Sequence, residues 1–410
     1  MNEQYSPLTI AITKKLSKTE KKEYGIFITP KCIIQKIISS ILRFVALQTI
    51  IIRDILEPSC GTCEIIKYID TTWSNVQLTG VELNDTIFGS IKDSAFKNKV
   101  TLINGDFLKY KSDKLYDLII GNPPYFVLKK DQVPVEYKEY INGRPNIFGL
   151  FILHSIGLLK PGGILAFVIS KSFLNSAYYS KIREYIKNHC EILTIEDYEN
   201  MNQFIDTEQT TFGIVLRKFA VPKTDFKECA FSIKLGEIII FTDNSIKLKE
   251  LLEGATTIEN LGLKVRTGQI VWNEHKDKLT NDKKGTPLIY NTNITKENTV
   301  ELKEFRNEEK GQYIDLVGRN EAIIVVNRGN GNSTYKLQYA LIEDGPYLVE
   351  NHLNEIYYPN SSIKKEDVIV IYSKIIASFK NPKTQQFIDM FLGNNGLSKS
   401  ELEQVLPIYL

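Results

Sequence analysis

The chain has 410 residues, 43% of them hydrophobic and 24% charged, with a formal net charge of +2. That length exceeds one typical core and predicts two domains, and the composition is that of an ordinary soluble globular protein. The polar start MNEQYSPLT lacks the form of a signal peptide, no apolar run reaches membrane-spanning length, and five cysteines make no disulfide framework, so a reducing cytoplasm with no membrane partner is expected.

In chain order, PKCIIQKIISSILRFV (30–45) has helical apolar spacing behind a well-placed proline. IIIRDILEP (50–58) is a buried-strand run that ends in the loop SCGTC, followed by a short helix, EIIKYIDTT (64–72). VQLTGVEL (76–83), VTLINGDFL (100–108) and YDLIIGNPP (116–124) read as further strands, each ending in a polar turn. NIFGLFILHSIGLL (146–159) is a strongly apolar helix; ILAFVIS (164–170), YYSKIREYIKNH (178–189) and TTFGIVLRKF (210–219) continue the alternation as strand, helix and strand. This rhythm predicts an α/β fold with a doubly wound, mostly parallel sheet over residues 1–220.

From residue 221 to 410 the texture changes. A helical stretch, SIKLKELLEG, leads into short strand-like pieces such as LKVRTGQIVW, PLIYNTN, AIIVVNRG, YALIEDGPYLVE and VIVIYS, and SKSELEQVLP reads as a closing helix. A mixed, mainly β domain is expected there.

Ligands of open α/β sheets bind beyond the carboxyl ends of the strands, where four polar turns fall. Glu57, Pro58 and Gly61 follow the first strand, in a small-residue loop that lets backbone N–H groups approach a ligand. Glu82 ends the next strand, where one carboxylate can accept from both hydroxyls of a ribose. Asp106 can accept from an adenine amino group, with Phe107 as an apolar wall. Together these turns describe a pocket for an adenosine-like cofactor. Cys60 and Cys63 make a C-x-x-C pair, but with no second pair and four scattered histidines, two small loop residues are a better reading than a metal site.

The order GIFITP (25–30), ILEPSCGTC, GVELN, NGDFL, IIGNPPYF, GLLKPGGILAFVIS and a long C-terminal region resembles the gamma-class N6-adenine DNA methyltransferases of restriction–modification systems and large DNA viruses. The resemblance covers about residues 20–220 and implies a class I S-adenosylmethionine-dependent catalytic domain followed by a target-recognition domain. It implies that Thr29, Glu57, Pro58, Gly61, Glu82, Asp106, Phe107 and Asn122 contact S-adenosylmethionine. It also implies that Asn122, Pro123, Pro124 and Tyr125 hold the target base, and that Phe204 closes its far side. One departure is plain: the family's second loop glycine is here Cys63.

The chemistry suits that box. The lone pair of adenine N6 is delocalised into the ring, so the amine needs orientation more than a strong base. The Asn122 side-chain carbonyl and the Pro123 main-chain carbonyl offer two acceptors for its hydrogens, and proline fixes the second. An amide accepts without a buried charge. Tyr125 offers a face on which an extruded base can stack, the target having left the duplex.

In the second half, Lys264 and Arg266 suit phosphates, and Arg328 in the Gly- and Asn-rich NRGNGNSTYK suits a groove contact. The resulting expectation is a monomeric, sequence-specific enzyme acting on double-stranded DNA, partnered by a cognate restriction endonuclease, in a bacterial or virus-infected cell. A methyltransferase of protein glutamine or of RNA bases uses the same box and is the alternative. Such enzymes are usually shorter and carry their extra domain first.

Overall fold

The computed structural model describes residues 4–410 apart from 49, 142, 144, 199–210, 226–227, 237, 308, 330–334, 361–362 and 393–395. The chain forms two compact units: Met1–Phe173 with Tyr178–Ile233 and Ile239–Asp243, and Leu174–Ala177 with Lys234–Ile238 and Asn244–Leu410.

The first unit is built on a seven-stranded sheet. Its strands are β1 (Asp54–Glu57), β2 (Gln77–Glu82), β3 (Lys99–Asn104), β4 (Tyr116–Gly121), β5 (Leu159–Ser170), β6 (Cys190–Asp197) and β7 (Thr211–Lys218), in the order β3-β2-β1-β4-β5-β7-β6. All run parallel except β7, which lies antiparallel to both β5 and β6. The expected doubly wound, mostly parallel sheet is therefore present. From β1 the chain winds outward to β3 and then returns to β4 on β1's other side, so the switch point lies between the carboxyl ends of β1 and β4. Glu57 ends β1 and Asn122 follows β4 directly.

Helices α1 (Pro7–Lys15), α2 (Lys18–Tyr24), α3 (Lys31–Gln48), α4 (Glu64–Thr72), α5 (Asp85–Ile91), α6 (Ile147–Leu158) and α7 (Ser180–His189) complete this unit. Helix α3 buries Ile33, Ile34, Ile37, Ile38 and Ile41 in a core shared with Ile55, Leu78, Leu118 and Val168, the one-sided stripe its sequence spacing predicts. Helix α6 is apolar on nearly every side because it is buried on nearly every side. Sequence spacing did not mark α1, α2, α5 or β6; α5 is short and capped by Asn84, whose side chain accepts from the Ile87 amide.

In the second unit, strands Lys264–Thr267, Leu353–Tyr357, Ile323–Asn327 and Tyr339–Ile342 pair in that order, all antiparallel. A second four-stranded sheet includes Thr286–Ile289, which runs parallel to Leu348–Val349. The expectation of strand for VIVIYS is overturned, since these residues lie within a helix, Lys365–Phe379. Val368, Tyr372, Ile375 and Phe379 are its buried positions, a helical spacing that prevails over the local β-branched run. A further helix, Pro382–Phe391, also went unread, whereas Lys399–Gln404 is helical as SKSELEQVLP suggested.

Candidate cofactor pocket and catalytic loop

A cleft opens at the switch point. Its lining includes Tyr24–Thr29, Glu57–Gly61, Glu82–Asn84, Gly105–Phe107 and the loop after β4 with Asn122, Pro124 and Phe126, joined by residues of α4, α5 and α6. Every residue assigned to the cofactor from sequence, namely Thr29, Glu57, Pro58, Gly61, Glu82, Asp106, Phe107 and Asn122, lies in that lining.

The local chemistry fits S-adenosylmethionine, a cation bearing a ribose and an adenine. Glu57 is buried, and its Oε2 has no hydrogen-bond partner among the described residues. Burial first, and then neighbouring negative groups, push its carboxyl well above the usual carboxylate range. A buried acid without a counter-ion is costly to ionise, and a ligand ammonium supplies what it lacks.

Glu82 is held in place: its Oε2 accepts from the Gly61 amide and its Oε1 from the Asn84 amide, both at 2.8 Å. A carboxylate has about four lone-pair sites, so both oxygens keep capacity for ribose hydroxyls. Burial raises its pKa, opposed by those amides. Asp106 accepts from the Leu108 amide at 3.0 Å. The Phe107 ring is buried, 4.9 Å from that of Phe151, and meets the His154 imidazole edge-on at 4.8 Å.

His154 was not foreseen. Its Nε2 donates to the Tyr110 carbonyl at 2.9 Å, which leaves Nδ1 to accept from the Tyr137 hydroxyl at 2.7 Å. Burial lowers its pKa, so it backs the Phe107 wall as a neutral ring.

The first loop keeps its backbone shape despite losing a glycine. Cys63 takes φ +62°, the left-handed conformation in which glycine is the usual residue, and its amide donates to the Cys60 carbonyl at 2.7 Å. Among the described residues no cluster of histidine, cysteine and acids could hold a metal ion.

Asn122 stands at the rim, 9% exposed. Its Nδ2 donates to the Phe27 carbonyl at 2.7 Å, and its Oδ1 accepts from the Tyr125 hydroxyl at 2.7 Å. A carbonyl can only accept, so Phe27 fixes which end of the amide is nitrogen. One lone pair of Oδ1 remains after Tyr125 has taken the other. The Asn122 main-chain oxygen accepts from the Ser59 hydroxyl at 3.1 Å, which ties the loop after β4 to the one after β1. Gly25 sits close enough to the Tyr125 backbone that a Cβ there would come within 2.6 Å of its nitrogen. The segment containing GIFITP therefore clamps the N-P-P-Y loop, through a main-chain carbonyl and a glycine.

Tyr125 is anchored by its hydroxyl and by neighbouring rings. Its hydroxyl points inward, 2.8 Å from the Val168 carbonyl as well as bonded to Asn122, and burial holds it well above the usual tyrosine range. Its ring lies 6.0 Å from Phe27 and 5.9 Å from Phe148, and the residue as a whole is half-buried. Phe126, which sequence reasoning passed over, lines the cleft. Pro123 is buried and Pro124 lines the cleft. Phe204 lies outside the described residues.

The basic residues expected to meet phosphate have partners inside their own unit. Arg266 bonds the fully buried Glu355 at 2.7 Å, also pairs with Glu321, and lies over the Tyr357 ring. Lys264 stands 3.3 Å from Glu403 and 3.4 Å from Glu259. Both side chains are thus already paired with carboxylates of their own unit. Arg328 donates through Nη1 to the Asn351 carbonyl at 2.7 Å.

A sheet of this order with a single reversed strand, and a strand-end pocket lined by two acids, an aspartate and a phenylalanine, define a class I S-adenosylmethionine-dependent methyltransferase. Residues 21–204 match the Eco57I restriction-modification methylase family. The modification methylase CviBIII of Paramecium bursaria Chlorella virus NC1A is 28% identical over 99% of both chains. The Type II methyltransferase M.CvrRI of Paramecium bursaria Chlorella virus XZ-6E is 26% identical over 98% of both. Among solved structures, the type IIG restriction endonuclease BpuSI aligns with 98% of this chain and 60% of its own at 11% identity, with a TM-score of 0.44. The protein is an S-adenosylmethionine-dependent DNA methyltransferase, similar to the modification methylases of restriction–modification systems.

Proposed function

We propose that the protein methylates N6 of adenine within a defined sequence of double-stranded DNA, with the target base rotated out of the duplex. The observation that carries this reading is the Asn122 carboxamide, pinned at the pocket rim between the Phe27 carbonyl and the Tyr125 hydroxyl. Its fixed orientation leaves an Oδ1 lone pair for one N6 hydrogen, and the Pro123 carbonyl serves the other. Drawing both hydrogens aside favours a pyramidal amine whose lone pair can meet the methyl group that the cofactor supplies on its sulfonium. Positioning of this kind suits a weak nucleophile in no need of a strong base.

Glu57 would take the cofactor's amino group, Glu82 its ribose, and Asp106 with Phe107 its adenine. Thr29, Pro58 and Gly61 complete the wall, with Tyr125 and Phe204 stacking on the base. The second unit is the target-recognition domain, and the enzyme acts as a monomer beside a cognate endonuclease. No described helix is long and apolar enough to cross a membrane.

Transfer of tritiated methyl groups to duplex DNA, structured RNA and a protein release factor, followed by nucleoside mass spectrometry, tests the reading. N6-methyladenine in DNA is expected. Label confined to RNA or protein, or methylcytosine in DNA, would overturn it.

A further inference from the structure

In the second unit, three loops that follow strands meet around Arg328. Asn291 follows Thr286–Ile289, Arg328 follows Ile323–Asn327, and Asn351 follows Leu348–Val349. The Asn291 Nδ2 donates to the Gly329 carbonyl at 3.3 Å, and the Arg328 Nη1 donates to the Asn351 carbonyl at 2.7 Å. Each of the three side chains is half-buried. Yet each keeps a shielded polar atom with no partner among the described residues: Asn291 Oδ1, Arg328 Nε and Asn351 Oδ1.

Buried polar atoms are nearly always paired, and three orphans in one place ask for a cause. Geometry narrows it. With Nη1 spent on a backbone carbonyl, Arg328 retains its Nε and Nη2 edge, the side of a guanidinium that binds two acceptors at once. Its orientation is set by a main-chain anchor and not by a carboxylate, in contrast to Arg266. Guanine O6 and N7 match such an edge, and an unpaired amide oxygen matches the exocyclic amino group of cytosine or adenine.

We infer that Arg328, Asn291 and Asn351 read base edges in the DNA, with Arg328 on a guanine and the two asparagine oxygens on neighbouring amino groups. This rests on the reading of the second unit as the target-recognition domain. The neighbouring base of the loop is itself fixed: Asn327 accepts from the Tyr335 hydroxyl and the Gln338 amide, both at 2.8 Å. A reading group needs such a rigid mount.

The test is methylation of a randomised duplex library by the full-length protein, read by single-molecule sequencing. Wild type, Arg328→Lys, Asn291→Asp and Asn351→Asp are compared, with thermal unfolding followed by circular dichroism as the check that each variant is folded throughout. Arg328→Lys keeps the charge and loses the two-toothed edge. At least about a tenfold fall in discrimination is expected at one guanine. The asparagine changes alter preference at an adjacent position while the guanine is retained. If wild type methylates DNA in a defined context and all three folded variants keep that context and its discrimination, the orphaned atoms are satisfied by water and the inference falls alone. Wild type that methylates DNA with no sequence preference, or methylates none, overturns it together with the recognition-domain reading.

Discussion

The two units treat buried charge in opposite ways. Around the cleft of the first, acids are left without counter-ions: Glu57 keeps an unpartnered oxygen, and the partners of Glu82 are backbone amides. In the second, Glu355 is fully buried but flanked by Arg266 and Arg319, at 2.7 and 2.8 Å, with Glu321 alongside. A charge matched within the chain is scaffold. One left unmatched at the mouth of a pocket waits for a ligand. Substitutions at these acids and their partners should therefore damage chemistry in the first unit and stability in the second.

The largest effect is expected at Asn122. Asn122→Ala removes the acceptor and frees the Phe27 carbonyl, and turnover should fall by roughly a hundredfold or more, with only a modest loss of DNA affinity. Single-turnover rates beside equilibrium binding separate the two. An unchanged rate would remove the case for hydrogen-bond positioning.

Next is Glu57, whose free carboxyl titrates above the ordinary glutamate range because burial penalises the charged form. In the free protein this group favours stability at low pH, and that contribution is lost as pH rises through the raised pKa. A bound ammonium reverses the preference and draws the proton off. Cofactor affinity should thus strengthen with pH between the ordinary glutamate value and the raised one, with proton release on binding. Glu57→Gln should weaken binding by about tenfold and flatten that dependence. Calorimetry in buffers of differing ionisation heat measures both, and a pH slope surviving in the glutamine variant would assign it elsewhere.

Much of the first unit was legible because its chemistry sits at strand ends, where residue type and position coincide. Glu57, Glu82 and Asn122 each close a run of buried residues, and Asp106 follows the apolar alternation of the half-exposed strand β3, so the period of the strand announces the turn. What escaped was carried by the main chain or by distant packing. The Phe27 carbonyl is invisible in a residue's name, and His154 reaches Phe107 from helix α6, far along the chain. In the second unit, the sequence shows cations but not the carboxylates that tertiary folding brings beside them. Arg266 and Glu355 are 89 positions apart. The helix Lys365–Phe379 was hidden by VIVIYS, whose β-branched run spells strand locally while its buried positions keep helical spacing.

Gly25 offers a finer test of the clamp on the catalytic loop. With φ +59° and the Tyr125 nitrogen 2.6 Å from any added Cβ, Gly25→Ala is strained and must push that loop away. Asn122 would move with it. Turnover should fall by about tenfold while cofactor affinity changes little, since the displaced groups orient the base. Equal losses in both would mean that Gly25, which also lines the cleft, acts through the cofactor wall instead.

The smallest effects are expected where charge is already matched. Arg266→Ala leaves the buried Glu355 with Arg319 as its remaining arginine and should lower stability by roughly 1–3 kcal/mol in a denaturant titration. Lys264 is exposed and its two carboxylate neighbours stand beyond 3.2 Å, so its removal should leave the melting temperature unmoved. For both, the dependence of DNA affinity on salt decides between scaffold and phosphate contact. Each phosphate neutralised by a protein cation adds about 0.9 to the slope of log affinity against log salt. Slopes equal to wild type would keep both residues as scaffold. A drop approaching one unit on Lys264→Ala would mean that its ion pairs open when DNA arrives, and that matched charge in the second unit is held in reserve.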